Sequence, residues 1–237
     1  MPDGLTDDAH TASGVGVVVV AAGSGTRLGA DRPKAFVELA GATLLEHALR
    51  GVLAAAPQEV VLVVPADLVE EARGIAATLS AGPATSVVVL AGGAERTDSV
   101  AAGLAALSRS IGLVLVHDAA RCLTPVAVFD LVLAALAMGA KGAIPGVPVV
   151  DTIKVVDESG VITQTPQRSS LRAVQTPQGF DREVLTAAHA LGSAATDDAA
   201  LVEALGHAVV VVDGDERALK VTTPEDLRRA ERLLASD

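Results

Sequence analysis

The chain has 237 residues, half of them hydrophobic, and its 29 Asp and Glu residues outnumber its 18 Lys and Arg residues, which gives a formal net charge of −11. It contains three Phe but no Trp or Tyr. A protein that binds single-stranded nucleic acid without sequence preference needs stacking rings and a basic surface, so this composition argues against nucleic-acid binding. The hydrophobic content is ample for one large aliphatic core, and we predict a single domain over residues 14–237.

The first 13 residues carry three aspartates and lack the basic start and apolar run of a secretory signal, so we predict a disordered tail at residues 1–13. The longest early apolar run, residues 15–22, is far shorter than the roughly 20 residues that span a bilayer. The single cysteine, Cys122, cannot form an intrachain disulfide, and we expect it to be buried. These features favour a soluble cytoplasmic protein that makes no use of a membrane.

Short β-branched runs alternate with amphipathic segments along the chain. Strands are predicted at residues 15–21, 60–64, 87–90, 113–116, 143–147 and 209–212, and their continuous apolar character is typical of strands covered on both faces. Helices are predicted at residues 43–56, 67–79, 97–107 and 126–138, and Thr223 with Pro224 begins another. Thr43 and Glu46 have the spacing of a capping box. This alternation predicts an α/β fold with a mostly parallel sheet.

The pattern changes between Asp151 and Gln178. Residues 153–156 and 161–165 form two short alternating runs, and the turn-forming sequence DESG lies between them, which predicts a β-hairpin. Such an insertion has little core of its own. It packs on the main domain or on a second subunit, or it is a surface decoration, and the pattern alone leaves these interpretations open.

The first predicted strand ends in a glycine-rich turn, AAGSGTRLG at residues 21–29. Bare backbone N–H groups at the carboxyl edge of a sheet are typical of phosphate sites. Two standard glycine motifs, GxGxxG and GxxxxGK[ST], would both need glycine at Leu28, so neither is present. What remains is a glycine loop followed by two cations, Arg27 and Lys34, which would hold a polyphosphate unless they are ordinary surface charges.

A second candidate element is Asp118, which follows the buried run 113–116. Its carboxylate would lie at the same sheet edge, where it could hold Mg²⁺ between phosphate oxygens or could cap the next turn. We expect the neighbouring His117 to be packed rather than to ligate a metal. The histidines and the single cysteine show no HExxH or CxxC spacing, which argues against a zinc site.

Eight segments in a fixed order, together with the segment around Arg168, resemble the 2-C-methyl-D-erythritol 4-phosphate cytidylyltransferase family over residues 15 to about 235. The segments are AAGSGTRLG with PKAF, GGAERTDSV, HDAAR, PVVDTIK, TPQGF, TDDA and KVTTPEDL. The resemblance implies a Rossmann-like nucleotidyltransferase domain with a protruding arm, about residues 151–176, that dimerises the enzyme. It also implies that CTP and methylerythritol phosphate give the cytidine diphosphate alcohol and pyrophosphate, with Mg²⁺, in the non-mevalonate isoprenoid pathway.

The resemblance also implies roles for individual residues. Those expected to bind the nucleotide are Ala21, Ala22, Gly23, Gly25, Gly93 and Ser99. The expected catalytic cations are Arg27, Lys34 and Lys220, and Asp118 would face the metal. The residues expected around the substrate phosphate and polyol are Arg121, Asp151, Thr152 and Arg168, with Thr152 and Arg168 supplied by the partner subunit's arm.

The sequence departs from the family pattern at two positions. The family's GGDER segment is GGAER here, so Ala94 replaces an acid near the base and backbone groups would recognise cytosine. An acid that some members place three residues before the lysine of KVT is Arg217 here. A second metal-facing carboxylate would therefore come from Asp215 or Glu216, or be absent.

Three alternative functions remain open at this point. A pentitol phosphate cytidylyltransferase or a sugar nucleotidyltransferase would share the glycine loop, Lys34 and Asp118, and would differ in the acceptor pocket. A dinucleotide-dependent oxidoreductase is disfavoured by Leu28. A non-catalytic nucleotide sensor would bind CTP without releasing pyrophosphate.

Overall fold

The computed structural model describes residues 14–23, 28–80, 85–192 and 195–236. The tail predicted at residues 1–13 lies outside these ranges. The strands are β1 (Gly14–Val20), β2 (Glu38–Leu39), β3 (Ala42–Thr43), β4 (Glu59–Val64), β5 (Ser86–Ala91), β6 (Ile111–Asp118), β7 (Gly142–Pro148), β8 (Val155–Val156), β9 (Ile162–Gln164), β10 (Arg172–Val174), β11 (Gln178–Asp181) and β12 (Val209–Asp213). The α-helices are α1 (Leu44–Ala54), α2 (Val69–Leu79), α3 (Arg96–Ala106), α4 (Val126–Ala137), α5 (Arg182–Ala190), α6 (Asp198–Ala204) and α7 (Pro224–Leu234).

The central sheet is mainly parallel, and hydrogen-bonded neighbours follow in the order β10, β7, β11, β6, β1, β4, β5. Strand β12 also pairs with β7, along the edge of β7 opposite to β10 and β11. Strand β1 is parallel to both β4 and β6, β4 to β5, and β12 to β7. Strand β11 is inserted antiparallel between β6 and β7, and β10 is also antiparallel to β7. The predicted α/β fold with a mostly parallel sheet is confirmed.

Two helical layers cover the sheet, and the alternation of side chains along β1 shows how. Val17 and Val19 belong to one core, which includes the buried faces of α1, α2, α4 and α7. Val18 belongs to a second core, which includes the buried faces of α3, α5 and α6. Because successive strand side chains point to opposite faces, a continuous valine run can serve both layers.

The capping signals in the sequence are confirmed at two helix starts. Thr43 and Glu46 form the predicted capping box of α1, and Thr223 and Asp226 form one at α7, with Pro224 in the first turn. The helix predicted from residue 67 begins later, because Ala66–Leu68 forms a 3₁₀ turn and α2 starts at Val69.

The expectation that every apolar strand is covered on both faces is wrong for two edge strands, β5, where Val88 is 44% exposed, and β12. Val210 and Val211 are 41% and 49% exposed, because β12 lies at the edge of the sheet beside β7. The valine-rich sequence predicts the strand but carries no information about its place in the strand order.

The segment after β7 contains the predicted β-hairpin. Strands β8 and β9 pair antiparallel, and Gly160 in the turn between them has a positive φ of 83°. The last strand of the segment, β10, rejoins the central sheet beside β7. None of the described helices is both long and apolar enough to cross a bilayer.

Candidate functional site

The carboxyl ends of four parallel strands, β1, β4, β5 and β6, are joined by backbone hydrogen bonds. Ala21, just after β1, donates its N–H to Val63 O at 2.8 Å. Gly92, just after β5, donates to Val64 O at 2.8 Å, and Ala119, just after β6, donates to Val20 O at 3.1 Å. Loops that leave neighbouring parallel strands therefore begin at one edge, where α/β folds bind their ligands.

A pocket at this edge, which we call the first pocket, collects most of the residues expected to bind the nucleotide and the phosphates. Its lining residues include Ala21, Ala22, Gly23, Lys34, Gly93, Ala94, Arg96, Ser99, Asp118 and Lys220. Lys34 is the first residue of a 3₁₀ turn, Lys34–Phe36, and the side chains of Ala35 and Phe36 are buried in the core. Gly25 and Arg27 lie outside the described residues.

The loop after β5 fits closely against the loop after β1. A Cβ atom built on Gly92 would lie 2.5 Å from Ala22 Cβ and 2.8 Å from Ser99 Oγ. Ser99 is buried, its hydroxyl accepts a hydrogen bond from Gly93 N–H at 3.2 Å, and it donates to Glu95 O at 3.2 Å. The Ser99 hydroxyl thus fixes the shape of the loop, and small residues are required where the two loops meet.

A second pocket adjoins the first, and its lining includes Arg121, Val174, Gln175, Thr176, Gln178, Thr196 and Asp197. Three charged residues, Arg96, Asp118 and Lys220, line both pockets. The boundary between the pockets is therefore formed by two cations and one carboxylate, and an anion bound in either pocket would lie near the same charges.

Asp118, the last residue of β6, is the centre of this charged cluster. Its Oδ2 accepts a hydrogen bond from Lys220 Nζ at 2.7 Å, and its Oδ1 lies 3.5 Å from Nε and Nη2 of Arg96. Burial by itself raises the pKa of Asp118, but attraction to Arg96 and Lys220 outweighs it and lowers the pKa to about 2. Asp118 is consequently ionised throughout the neutral range.

Two neighbours of Asp118 in the sequence are packed side chains, as predicted. His117 is buried against Phe129, and its Nδ1 lies 3.1 Å from Thr176 Oγ1, which also accepts a hydrogen bond from Asp118 N–H. Burial lowers the pKa of His117 to about 4, so the ring is neutral. Burial raises the pKa of the Cys122 thiol to about 12.

Arg121 connects the second pocket to the C-terminal segment. Its Nη1 donates to Ala218 O at 2.7 Å, and its Nη2 donates to Val174 O at 3.1 Å, at the end of β10. Lys220 lies two residues beyond Ala218, and the following N–H, of Val221, donates to Ala120 O at 2.8 Å. These bonds place Lys220 beside Asp118, and they occupy both terminal nitrogens of Arg121.

The structure does not bring the arm residues into either pocket of their own chain. Asp151, Thr152 and Arg168 are exposed, and none of them lines the first or the second pocket. Arg168 Nη1 donates to Val150 O at 2.7 Å, within the arm. Their expected contact with the substrate therefore stays a prediction.

Arg96 and Asp198 are not among the site residues expected from the sequence. Arg96 Nη1 lies 2.8 Å from Asp198 Oδ2, and the side chain of Asp198 is fully buried. Both residues lie in segments that carry the family resemblance, GGAERTDSV and TDDA. The adjacent charged residues in these segments are the sequence signal that could have indicated a role for them in the site.

A magnesium site here would rest on one carboxylate. The described residues hold no group of three or more His, Cys, Asp or Glu side chains that could bind a metal together. Asp215 accepts a hydrogen bond from Arg217 N–H, Glu216 lies 3.6 Å from Arg229, and neither lines the pockets. Because Mg²⁺ commonly binds one or two carboxylates and completes its shell with phosphates and water, ionised Asp118 fits an ion that is also held by a triphosphate.

Comparisons with known proteins show the family and the fold. Residues 15–236 match the family model described as IspD: 2-C-methyl-D-erythritol 4-phosphate cytidylyltransferase. A protein of that name from Nocardia farcinica is 50% identical over 229 residues, which cover 96% of this chain and 97% of the relative. The crystal structure of 4-diphosphocytidyl-2C-methyl-D-erythritol synthase from Anaerococcus prevotii superposes with a TM-score of 0.82 at 29% identity, covering 94% and 99% of the two chains. A 2-C-methyl-D-erythritol 4-phosphate cytidylyltransferase from Thermus thermophilus superposes with a TM-score of 0.72 at 37% identity, covering 92% and 98%.

Proposed function

This chain belongs to the 2-C-methyl-D-erythritol 4-phosphate cytidylyltransferase family, and we propose that its first pocket binds CTP while its second pocket binds 2-C-methyl-D-erythritol 4-phosphate. The enzyme is a nucleotidyltransferase that transfers a cytidylyl group from CTP to this acceptor in isoprenoid biosynthesis. The assignment of CTP and its acceptor to the two pockets rests on one observation, the boundary that the pockets share. Arg96, Asp118 and Lys220 line both, so two phosphorylated substrates would meet at the same charges.

The first pocket suits a nucleotide whose base is recognised by backbone groups. It is lined by small residues of the two loops after β1 and β5, and the chain has no Trp or Tyr to stack on a base. With Ala94 in place of the family's acid, backbone atoms of the loop 92–95 would recognise cytosine. Lys34, in the same pocket, would bind the triphosphate. The family resemblance gives Arg27 the same role.

The chemistry follows from the charges of the two substrates. An oxygen of the acceptor's phosphate monoester attacks the α-phosphorus of CTP, a new P–O bond forms, and the bond from the α-phosphorus to the oxygen that bridges to the β-phosphorus breaks as pyrophosphate leaves. A phosphate monoester has its second pKa near 6, so the nucleophile is already ionised at neutral pH and no general base is required. The enzyme's task is to hold two anions in line and to stabilise charge on the oxygens in the transition state.

Cations at the boundary between the pockets can perform this task. Lys220 and Arg96 are held next to Asp118, and Lys34 lines the first pocket, so positive groups surround the region where the phosphates would meet. Mg²⁺, held by the triphosphate and by Asp118, would add charge stabilisation on the phosphate oxygens. The ionised state of Asp118 supports this role.

The proposal includes a homodimer formed through the arm, in which the partner subunit's arm completes the second pocket. Exposed aliphatic side chains are concentrated on the arm, at Ile153, Val155, Val156, Val161 and Ile162. A hairpin of this size cannot bury them by itself, and a patch of exposed aliphatic residues is typical of a subunit interface. The same arrangement would bring Thr152 and Arg168 to the polyol phosphate. We place the reaction in the cytoplasm, where CTP is available.

Pyrophosphate release with each of the four nucleoside triphosphates, against 2-C-methyl-D-erythritol 4-phosphate and against ribitol 5-phosphate, tests the proposal. We expect release with CTP and the methylerythritol phosphate. Faster release with ribitol 5-phosphate would assign the second pocket to pentitol phosphates, and a preference for another triphosphate would overturn the assignment of the first pocket. CTP binding without pyrophosphate release under any of these conditions would indicate a sensor.

A further inference from the structure

Asp198 is a carboxylate that the mechanism above leaves without a role, although it is completely buried at the first turn of α6. Its Oδ1 accepts a hydrogen bond from His189 Nε2, on α5, at 2.9 Å, and its Oδ2 lies 2.8 Å from Arg96 Nη1. Within the described residues Oδ2 accepts no hydrogen bond of good geometry, so the ion pair with Arg96 is what balances its charge.

The position of Asp198 is fixed by the strand next to β6. Gln178, at the start of β11, donates its side-chain N–H to Asp197 Oδ2 at 2.9 Å and accepts from Ala199 N–H at 3.3 Å. The Asp197 side chain also caps α6 by accepting from Ala200 N–H at 3.0 Å. Both chain neighbours of Asp198 are thus hydrogen-bonded to an inner strand of the sheet, and its carboxylate cannot move far from Arg96.

Arg96 is the group through which this buried pair reaches the site. It lines both pockets, and its guanidinium lies between Asp198 on one side and Asp118 on the other. A continuous series of charged and hydrogen-bonded groups therefore connects His189 on α5 with Asp118 and Lys220 at the boundary of the pockets.

Holding α5 and α6 together does not require such a series. A buried ion pair costs a large desolvation free energy, and apolar side chains of similar volume often stabilise a protein as well or better. The cost is understandable if the position of the Arg96 guanidinium matters, because an arginine that paired fully with Asp118 would neutralise that carboxylate and present fewer of its N–H groups to a bound phosphate.

We propose that Asp198 and His189 are positioning residues for cytidylyl transfer: they hold the Arg96 guanidinium at the boundary of the two pockets, where it faces both Asp118 and the bound phosphates. His189 acts by donating one hydrogen bond that orients the Asp198 carboxylate, and Asp198 acts by drawing Arg96 away from full contact with Asp118. Neither residue touches a substrate. The inference rests on the proposed function, since the effect it predicts is on that reaction.

A double-mutant cycle on turnover tests the proposal, with pyrophosphate release by the unmodified protein as its reference. We expect Asp198→Asn to lower kcat about tenfold, the size of coupling seen between contacting residues, while the KM for CTP changes much less. In the Arg96→Ala background the same substitution should change kcat less than about twofold, because the group it positions is gone. Glu203→Gln removes an exposed carboxylate from the same helix and should leave kcat unchanged in both backgrounds.

The His189 variants provide a second arm that leaves the Asp198–Arg96 ion pair in place, should Asp198→Asn not fold. His189→Leu should lower kcat in the same direction, and His189→Gln, which can still donate an N–H, should recover most of it. Equal losses of kcat per folded molecule with and without Arg96, or equal effects of His189→Leu and His189→Gln, would overturn the proposal and leave a structural role. Absence of pyrophosphate release by the unmodified protein would instead contradict the proposed function.

Discussion

Lys220 Nζ lies 2.7 Å from Asp118 Oδ2, although the two residues are 102 positions apart in the chain. The contact is made possible by a backbone hydrogen bond between Val221 and Ala120, which places the segment before α7 alongside the end of β6. The C-terminal segment therefore completes a site that begins at β1. Together with Arg96, Lys220 more than offsets the effect of burial on the pKa of Asp118.

Replacement of Asp118 should show the attraction between its carboxylate and the cations Lys220 and Arg96 as a pH-dependent loss of stability. The pKa of Asp118 is about 2 in the folded protein against 3.8 for an unperturbed aspartate, so its ionised form favours the folded state by about 2 kcal/mol. That contribution is complete above about pH 4 and is lost as the pH falls toward 2. We expect Asp118→Asn to lower the free energy of unfolding in urea by a similar amount at pH 7 and at pH 5.

The difference between the two proteins should shrink only below about pH 4. Asp130→Asn, at an exposed position on α4, is the matched control and should change the free energy of unfolding little at any of these pH values. A stability difference that has already disappeared at pH 5 would show that Asp118 titrates there, and would contradict the assignment of a strongly lowered pKa.

Lys34→Ala should reduce turnover by about 10²–10³ with the fold intact, as loss of a donor to the transition state does in other enzymes. The reason is that Lys34 lines the first pocket and would neutralise charge on the triphosphate. The same loss is expected for Arg27→Ala. Lys141→Ala removes a lysine that pairs with Asp181 on the surface, and its turnover should be unchanged. Near-normal pyrophosphate release by Lys34→Ala would remove that residue from the catalytic machinery.

Gly92→Ala should impair CTP binding because the added methyl group would meet Ala22 Cβ at 2.5 Å and force apart the two loops of the first pocket. A displacement of the order of 1 Å at a site of this kind costs about 10²-fold in kcat/KM, and we expect most of it in the KM for CTP. Gly74→Ala is the control, since Gly74 lies in α2 with open space around it and alanine is favoured in a helix. An unchanged KM for CTP in Gly92→Ala would show that the loops can separate without affecting the pocket.

Elements with a local cause were predictable from the sequence. The capping box of α1 depends on two side chains three residues apart, and the apolar run of β1 precedes its glycine turn directly, so both are visible in a short window. The exposed edge position of β12 is not visible in this way, because it depends on which strand pairs with β7. The same distinction holds for the site. The glycine loop and Asp118 were predictable because each follows a predicted strand. The ion pair between Arg96 and Asp198 was not, because it joins segments that meet only after α3 and α6 have packed on the same face of the sheet.

The most direct test of the dimer comes from mixing two inactive variants. If the partner's arm supplies Arg168 to a site that contains Lys34, Arg168→Ala and Lys34→Ala subunits can together form one competent site. With equal amounts and free subunit exchange, half of the dimers are mixed and each has one of its two sites intact, so about a quarter of the activity of the unmodified enzyme should return.

Exchange between subunits is checked by copurification of one variant through a tag on the other. A mixture of Lys34→Ala with the Lys34→Ala, Arg168→Ala double variant serves as the control, because none of its dimers can combine an intact Lys34 with an intact Arg168. Activity that stays at background in the first mixture, despite proven exchange, would place both residues in the site of one chain. That outcome would require the exposed arm to fold back onto its own domain, since Arg168 lines neither pocket of its own chain in the arrangement described above.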